Sequence, residues 1–300
     1  MTAVRLVEVG ARDGLQNEKQ LVATATKIEL VDRLTACGHA SIEATSFVSP
    51  KWIPQLADAA EVYRGITRRA GVRYPVLVPN LQGLERAIEA GVEEVAVFTA
   101  ASEAFNRRNI NASIDESLAR FQAVFERARD ARIAVRGYVS TVLGCPYQGA
   151  VAIPEVVRVA RALHGAGCYE ISLGDTIGTG TPAAARAMVA AVAAEVPVTA
   201  LAVHFHDTRG QALANIYACL ELGVRVIDAS VAGLGGCPYA AGASGNVASE
   251  DVVYMLHGMG VETGIDLESL IGTARWISAA LGREPASKLG RAGLPHASAA

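Results

Sequence analysis

Eight short, mostly apolar runs, each followed by a helical pattern, recur along the chain and limit what it can fold into. The runs fall at residues 4–9, 40–45, 75–78, 94–99, 133–140, 169–174, 199–206 and 226–231. Many are apolar at successive positions, as expected of parallel strands covered by helices on the outside. Between them lie amphipathic segments. Ile114, Leu118, Phe121, Phe125 and Ala128 recur at three- and four-residue spacing, with Ser113 and Glu116 as a capping-box pair at the start. Gly223 closes another such segment, and Pro154 and Pro182 sit where first-turn prolines belong. Eight strand–helix units in 300 residues match the size and order of a (β/α)8 TIM barrel, an α/β fold in a single domain. A doubly wound open sheet uses the same alternation. However, no GxGxxG follows the first strand, and the glycine-rich "GDTIGTGTP" lacks the P-loop lysine. The expected organisation is a catalytic barrel over 1–282 and a small, polar, partly loose tail over 283–300.

Composition narrows the function. The formal net charge is −3 and no basic run carries interleaved aromatics, which argues against a nucleic-acid partner. No run of 18 apolar residues implies a membrane span. The start "MTAVRLVEVG" enters a strand directly, so no leader is expected. Five cysteines, Cys37, Cys145, Cys168, Cys219 and Cys237, form no CxxC and suit a reducing cytoplasm.

A barrel gathers its chemistry at the carboxyl ends of its strands, and those ends are polar here. They carry Arg12, Asp13, Gln16 and Asn17 after the first strand and Glu43 at the second. Tyr138 and Ser140 end the fifth, Asp175 the sixth, "VHFHD" the seventh, and Cys237 and Asn246 follow the eighth. Residues i and i+2 of a strand share a face. His204 and His206 therefore both point into the barrel mouth, with Phe205 turned to the helices. A lone inward histidine is more often a satisfied core group, but the pair has Asp13 and Asn246 on neighbouring strands once the barrel closes. Two imidazoles with two oxygen ligands suit a divalent cation, and the set alone permits Zn²⁺, Mn²⁺, Fe²⁺ or Mg²⁺. Arg12 reads either as an ion-pair partner of Asp13 or as an oxyanion stabiliser. Glu43 and Asp175 read as partners of that arginine or of nearby water. Cys237 lies among Gly233, Gly235, Gly236, Gly242 and Gly245, in a loop composed to close over a substrate. Arg107 and Arg108 read as a solvated helix entry before a phosphate site.

Longer motifs carry a resemblance over nearly the whole chain: "VEVGARDGLQNEK", "IEATSFVSPKWIPQ", "RGYVSTVLGCPYQG", "SLGDTIGTGTP", "HFHDTRGQALAN" and "GLGGCPYAAGASGN". The sequence resembles the 3-hydroxy-3-methylglutaryl-CoA lyase family, within the metal-dependent lyases and synthases built on TIM barrels. Condensing relatives share the Arg-Asp-Gly start and the paired histidines but not the cysteine loop. The resemblance implies Asp13, His204, His206 and Asn246 as ligands of Mg²⁺ or Mn²⁺, and Arg12 on the thioester oxygen. It implies Cys237 in proton transfer, Glu43 and Asp175 as acids near the reacting centre, and Gln16 and Tyr138 as polar neighbours. It also implies an acyl-CoA substrate, a homo-oligomer (dimer or higher), and a bacterial cytoplasmic enzyme. Arg209 stands where the family often has tyrosine, and no cysteine follows Cys237 for an intersubunit disulfide.

Overall fold

The computed structural model of the chain describes residues 3–236 and 245–295. Nine strands lie in one parallel sheet: β1 (Arg5–Glu8), β2 (Ser41–Ile42), β3 (Thr45–Ser46), β4 (Val76–Leu77), β5 (Glu94–Ala100), β6 (Ala134–Ser140), β7 (Glu170–Asp175), β8 (Leu201–Phe205) and β9 (Val226–Ala229). Their order is β2-β1-β9-β8-β7-β6-β5-β4-β3. The two edge strands are halves of one run, so the sheet closes on itself as a (β/α)8 barrel. Each expected strand is present, trimmed or shifted by a residue or two, except that the second is split. The run stays hydrogen-bonded to both neighbours across the break. Ile42 pairs with Glu8 on β1 and Thr45 with Val76 on β4. The Glu43 N–H reaches the Glu8 carbonyl at 2.8 Å, while the Ile42 and Ala44 N–H groups reach the Arg73 and Pro75 carbonyls, each at 2.9 Å. The run therefore bridges β1 and the segment before β4 and closes the barrel.

Outward residues such as Leu6, Ile171, Leu173, Val203, Phe205 and Ile227 pack against helices in one continuous apolar shell. Inward positions are mixed. Val7, Val9, Ala202 and Val226 fill one part of the interior, and Leu77, Ala96, Phe98 and Tyr138 another. Arg5, Arg136, Glu170 and Asp228 occupy the rest as ion pairs. No helix among the described residues is long and apolar enough to cross a membrane.

Part of the tail expected to be partly loose packs against the barrel. Helix Lys288–Ala292 is capped by Ser287, and Asp251 accepts from the Lys288 and Leu289 N–H groups at 3.0 and 2.8 Å. Glu250 accepts from the Ser287 hydroxyl at 2.5 Å and from the Ala232 N–H at 3.0 Å. These buried partners are polar, so an apolar pattern could not reveal them. Ala232 is held at φ 58, a left-handed conformation uncommon outside glycine, and its carbonyl accepts from Ala286 and Ser287. The chain end thus buttresses the loop that leaves β9.

Candidate active site

The end of β1 explains how two charged side chains reach the barrel mouth. Instead of an α-turn, Gly10–Gly14 makes a π-turn in which the N–H groups of Asp13 and Gly14 both reach the Val9 carbonyl, at 2.8 and 3.1 Å. Such wide turns recur at functional sites because they re-aim side chains. A Cβ at Gly10 would lie 2.6 Å from Glu8 Oε1, so the turn needs a glycine there. Arg12 and Asp13 emerge on one side of it. Arg12 Nε donates to Glu43 Oε2 at 2.7 Å, and its Nη1 to Asp13 Oδ1 at 2.7 Å. Its guanidinium also lies 5.7 Å from the centre of the Tyr138 ring.

β8 supplies the facing groups. His204 and His206 both turn inward, with ring centres 5.5 Å apart, and Phe205 is buried in the outer shell. Ligand atoms of Asp13, His204 and His206 all lie within 4.8 Å of one another. His204 Nε2 is 3.9 Å from Asp13 Oδ2, and the buried Nδ1 of His206 has no hydrogen-bond partner. A buried nitrogen left unsatisfied beside a carboxylate and a second imidazole fits a cation better than it fits a finished core. Asn246, bridged to His206 across the sheet end, donates from Nδ2 to Asp13 Oδ2 at 2.7 Å. Turning that amide over would present its oxygen to the same space. The three-residue cluster is therefore a candidate metal site with Asn246 at its edge.

Charge follows position. Burial raises the Asp13 pKa, but Arg12, then His204, His206 and the Asn246 hydrogen bond outweigh it and hold the carboxyl at about 2. Burial lowers His206 to about 4, and His204 adds to that. Burial also pulls His204 down, but the Asp228 hydrogen bond and charge, with Asp13, move it up on balance. Burial raises Glu43 against the pull of Arg12. The site therefore offers an anionic carboxylate, a neutral imidazole and a permanently cationic arginine, which is a donor set for a divalent ion with an electrophilic partner beside it.

This cluster lies on the wall of a cleft of about 600 Å³ lined by Arg12, Asp13, His204 and His206. Val48, Leu77, Phe98 and Phe105 give the cleft an apolar part of its lining, and Trp52, Arg108 and Arg120 also line it. Residues 3–277 match the model of the HMGL-like family.

The chain belongs to the HMGL-like family.

It is 60% identical over 289 residues to the mitochondrial hydroxymethylglutaryl-CoA lyase of Gallus gallus, covering 96% of this chain and 97% of that one. It is 60% identical over 294 residues to the 3-hydroxy-3-isohexenylglutaryl-CoA/hydroxy-methylglutaryl-CoA lyase of Pseudomonas aeruginosa, covering 98% of each. The crystal structure of hydroxymethylglutaryl-CoA lyase from Pseudomonas aeruginosa superposes with a TM-score of 0.95 over 97% of each chain, at 60% identity.

Within this HMGL-like barrel, the residues expected at the site divide. Arg12, Asp13, Gln16, Tyr138, Ser140, His204 and His206 line the one cleft, and Glu43 and Asn246 stand behind its charged wall. Asp175 is not brought to it. As the sixth residue of β7 it falls on the outward face, and its carboxylate accepts the N–H groups of Thr179 and Gly180 at 3.2 and 2.8 Å. It fixes the loop whose Thr176 lines the cleft. Cys237 lies outside the described residues. Gly236 before it lines the cleft, and a Cβ on Gly245 would sit 2.3 Å from the Gly235 carbonyl carbon, so the two shoulders of that loop touch. Arg108 lines the cleft rim while stacking at 4.2 Å on Tyr147. The sequence reading missed Asp228 and Arg136. The signal was available: a charged residue at an inward position of an otherwise apolar strand.

Proposed function

We propose that the chain cleaves 3-hydroxy-3-methylglutaryl-CoA to acetyl-CoA and acetoacetate. That it is a carbon–carbon lyase follows from its family and from relatives matched along nearly their full length. The observation that carries the reaction is Arg12 and Asp13, on one turn, facing His204 and His206 on the wall of a cleft large enough for an acyl thioester arm.

Asp13, His204 and His206, with the Asn246 amide turned over, would hold Mg²⁺ or Mn²⁺. Such an ion, when bound, acidifies a coordinated hydroxyl and polarises a carbonyl. The rest of the chemistry belongs to the chain. Asp13 or one of the histidines takes the proton from the C3 hydroxyl. The C2–C3 bond breaks, its electron pair going to C2, so that acetoacetate leaves and the enolate of acetyl-CoA remains. Arg12, fixed by Glu43, donates to the thioester oxygen where the negative charge develops; a preorganised donor of this kind is worth about 3 kcal/mol. Cys237 returns a proton to C2. Tyr138, Gln16 and Ser140 orient the acyl group from β6 and from the turn after β1. Asp175 acts through the loop it anchors, placing Thr176. The apolar side built by Leu77 and Phe98 takes the 3-alkyl substituent.

We place the enzyme in leucine and ketone-body type catabolism, in a bacterial cytoplasm, as a dimer or higher oligomer. Half-exposed Tyr217 and Tyr254 on adjoining outer helices are consistent with such an assembly, and light scattering on the eluted protein tests it. For the reaction, purified protein is given 3-hydroxy-3-methylglutaryl-CoA with EDTA, then with Mg²⁺ or Mn²⁺ restored. Acetoacetate formed only with metal supports the reading. No cleavage with metal restored sinks it and moves the substrate to the isohexenyl analogue, or the reaction to a Claisen-type condensation of acetyl-CoA with a 2-oxo acid.

A further inference from the structure

Below the site, the barrel interior holds a chain of buried ions. Arg5 contacts Glu170, and Glu170 Oε1 accepts from Arg136 Nε at 2.7 Å. Arg136 then forks onto Asp228, with Nη1 at 3.1 Å from Oδ2 and Nη2 at 2.7 Å from Oδ1. Asp228 Oδ2 also accepts from Ser172 Oγ at 2.7 Å and faces His204 Nδ1 at 3.3 Å. Arg136, Glu170, Asp228 and Ser172 are at most 2% exposed. Apolar side chains of the same volume usually stabilise a core as well as buried ion pairs do. The chain therefore calls for a task besides stability, and its upper end shows one.

A neutral imidazole carries one ring proton, and the group facing each nitrogen decides where it sits. Asp228 already accepts from a guanidinium and a hydroxyl and has no proton to give. It can only accept from His204. The proton goes to Nδ1, and the lone pair of Nε2 is left facing Asp13 and His206, the side on which Nε2 lies 3.9 Å from Asp13. We infer that Asp228 is the positioning residue that fixes the tautomer and ring plane of His204, aimed in turn by the Arg136 fork. The inference rests on the metal reading of the site. Partners of this kind, one shell behind the ligands, typically change metal affinity 10- to 100-fold when lost.

Asp228→Asn separates positioning from mere filling. Oδ2 is the atom that meets both Ser172 Oγ and His204 Nδ1, so the amide sets either its NH₂ or an uncharged oxygen against the ring, and the carboxylate that holds the Nδ1 proton is lost either way. The ring proton should shift toward Nε2, on the side meant for the cation. Long-range ¹H–¹⁵N spectra of the metal-free full chain, followed up in pH until the His204 ring is neutral, read the tautomer directly, with the His204 ring identified by its loss in His204→Gln. Mn²⁺ titration followed by electron paramagnetic resonance reads the affinity. The expected result is an Nδ1-protonated His204 in the wild type, loss of that tautomer in Asp228→Asn, and Mn²⁺ affinity weaker by roughly 10- to 100-fold. Ser172→Ala, which keeps the fork, should stay within about threefold of wild type, well short of the loss from Asp228→Asn. An Nε2-protonated His204 in the wild type overturns the inference. So does an Asp228→Asn protein with wild-type spectrum and affinity. If Asp228→Asn does not fold, Arg136→Lys keeps the charge but loses the fork, and an unchanged ring spectrum and affinity there likewise overturns it. A wild type that binds no Mn²⁺ defeats the metal reading instead, and the tautomer still decides the role of Asp228.

Discussion

Two kinds of buried acid meet at one end of this barrel. Asp13 and Asp228 each lie against an arginine. Burial works against their charge, but Arg12 holds Asp13 at about 2, and Arg136 with His204 holds Asp228 well below the usual carboxylate range. Glu8 and Glu250 are fully buried, more so than Asp13, and have no such partner. Glu8 accepts from the N–H groups of Gly10 and Val231 and from the Ser249 hydroxyl; Glu250 accepts from Ala232 and Ser287. Burial pushes them up to about 7 and about 8. The difference separates two tasks. Charge is kept where the proposed function needs a cation or a developing oxyanion to be met. Protonated acids suffice where loops after β1 and β9 must be tied down, because a carboxyl group can serve as a hydrogen-bond bolt without the cost of burying its charge.

The comparison breaks most readily on its charged side. His206→Ala removes a donor atom from the three-residue cluster and should lower kcat about 10³-fold or more, with Mn²⁺ affinity falling alongside; a variant that binds and turns over like wild type would return the histidine to the core. Arg12→Lys keeps the charge but cannot hold Glu43 and Asp13 together. A loss of about 10²-fold in kcat, with metal affinity retained, is expected. Equal loss of metal binding would show that Arg12 only shapes Asp13.

The neutral side is tested by pH. A carboxyl whose folded pKa lies above its unfolded value binds more protons when folded, so its contribution is full below about 4.5 and is lost as pH rises through about 7 and 8. The stability read from urea unfolding should therefore fall between pH 5 and 9, by up to roughly 7 kcal/mol for the pair at about 1.4 kcal/mol per pKa unit. Glu8→Gln and Glu250→Gln, which keep an oxygen and a donor, should flatten that fall. Asp13 and Asp228 slope the other way, losing their contribution only as pH drops below about 4. The smallest effect belongs to a pair that does neither task. Arg161 and Glu195, 3.6 Å apart and about half exposed or more, should contribute under about 0.5 kcal/mol in a double-mutant cycle.

Most of the barrel was legible because its strands are apolar toward the helices, and that pattern survives in the sequence. The paired histidines were legible for the same reason, since a two-residue period fixes their face. What failed did so for local reasons. The second strand reads as one run because its bonding is that of one run, with the Glu8 carbonyl on one side and those of Arg73 and Pro75 on the other; only the regular pairing lapses at Glu43 and Ala44. Asp175 ends its strand among polar residues, but parity puts it outward, and counting from Glu170 would have shown this. Asp228 and Arg136 were passed over as charges inside strands. The polar docking of the chain end through Glu250 and Asp251 left no apolar trace.

The pairing of β1 with β9 has a further consequence for how the molecule comes into being. Asp13 stands near the start of the chain, His204 and His206 two thirds along it, and Asn246 later still, and they meet only because Arg5 pairs with Val226 and Glu8 with Ala229. Contacts this distant in sequence form late, after most of the loop-closure entropy has been lost. A nascent chain can lay down β2 through β7 in order as it leaves the ribosome. It owns no ligand cluster until the ring shuts. On the proposed metal reading, cation capture and the final closure of the barrel are then one event, and a truncated or half-folded copy has nothing with which to compete for the ion.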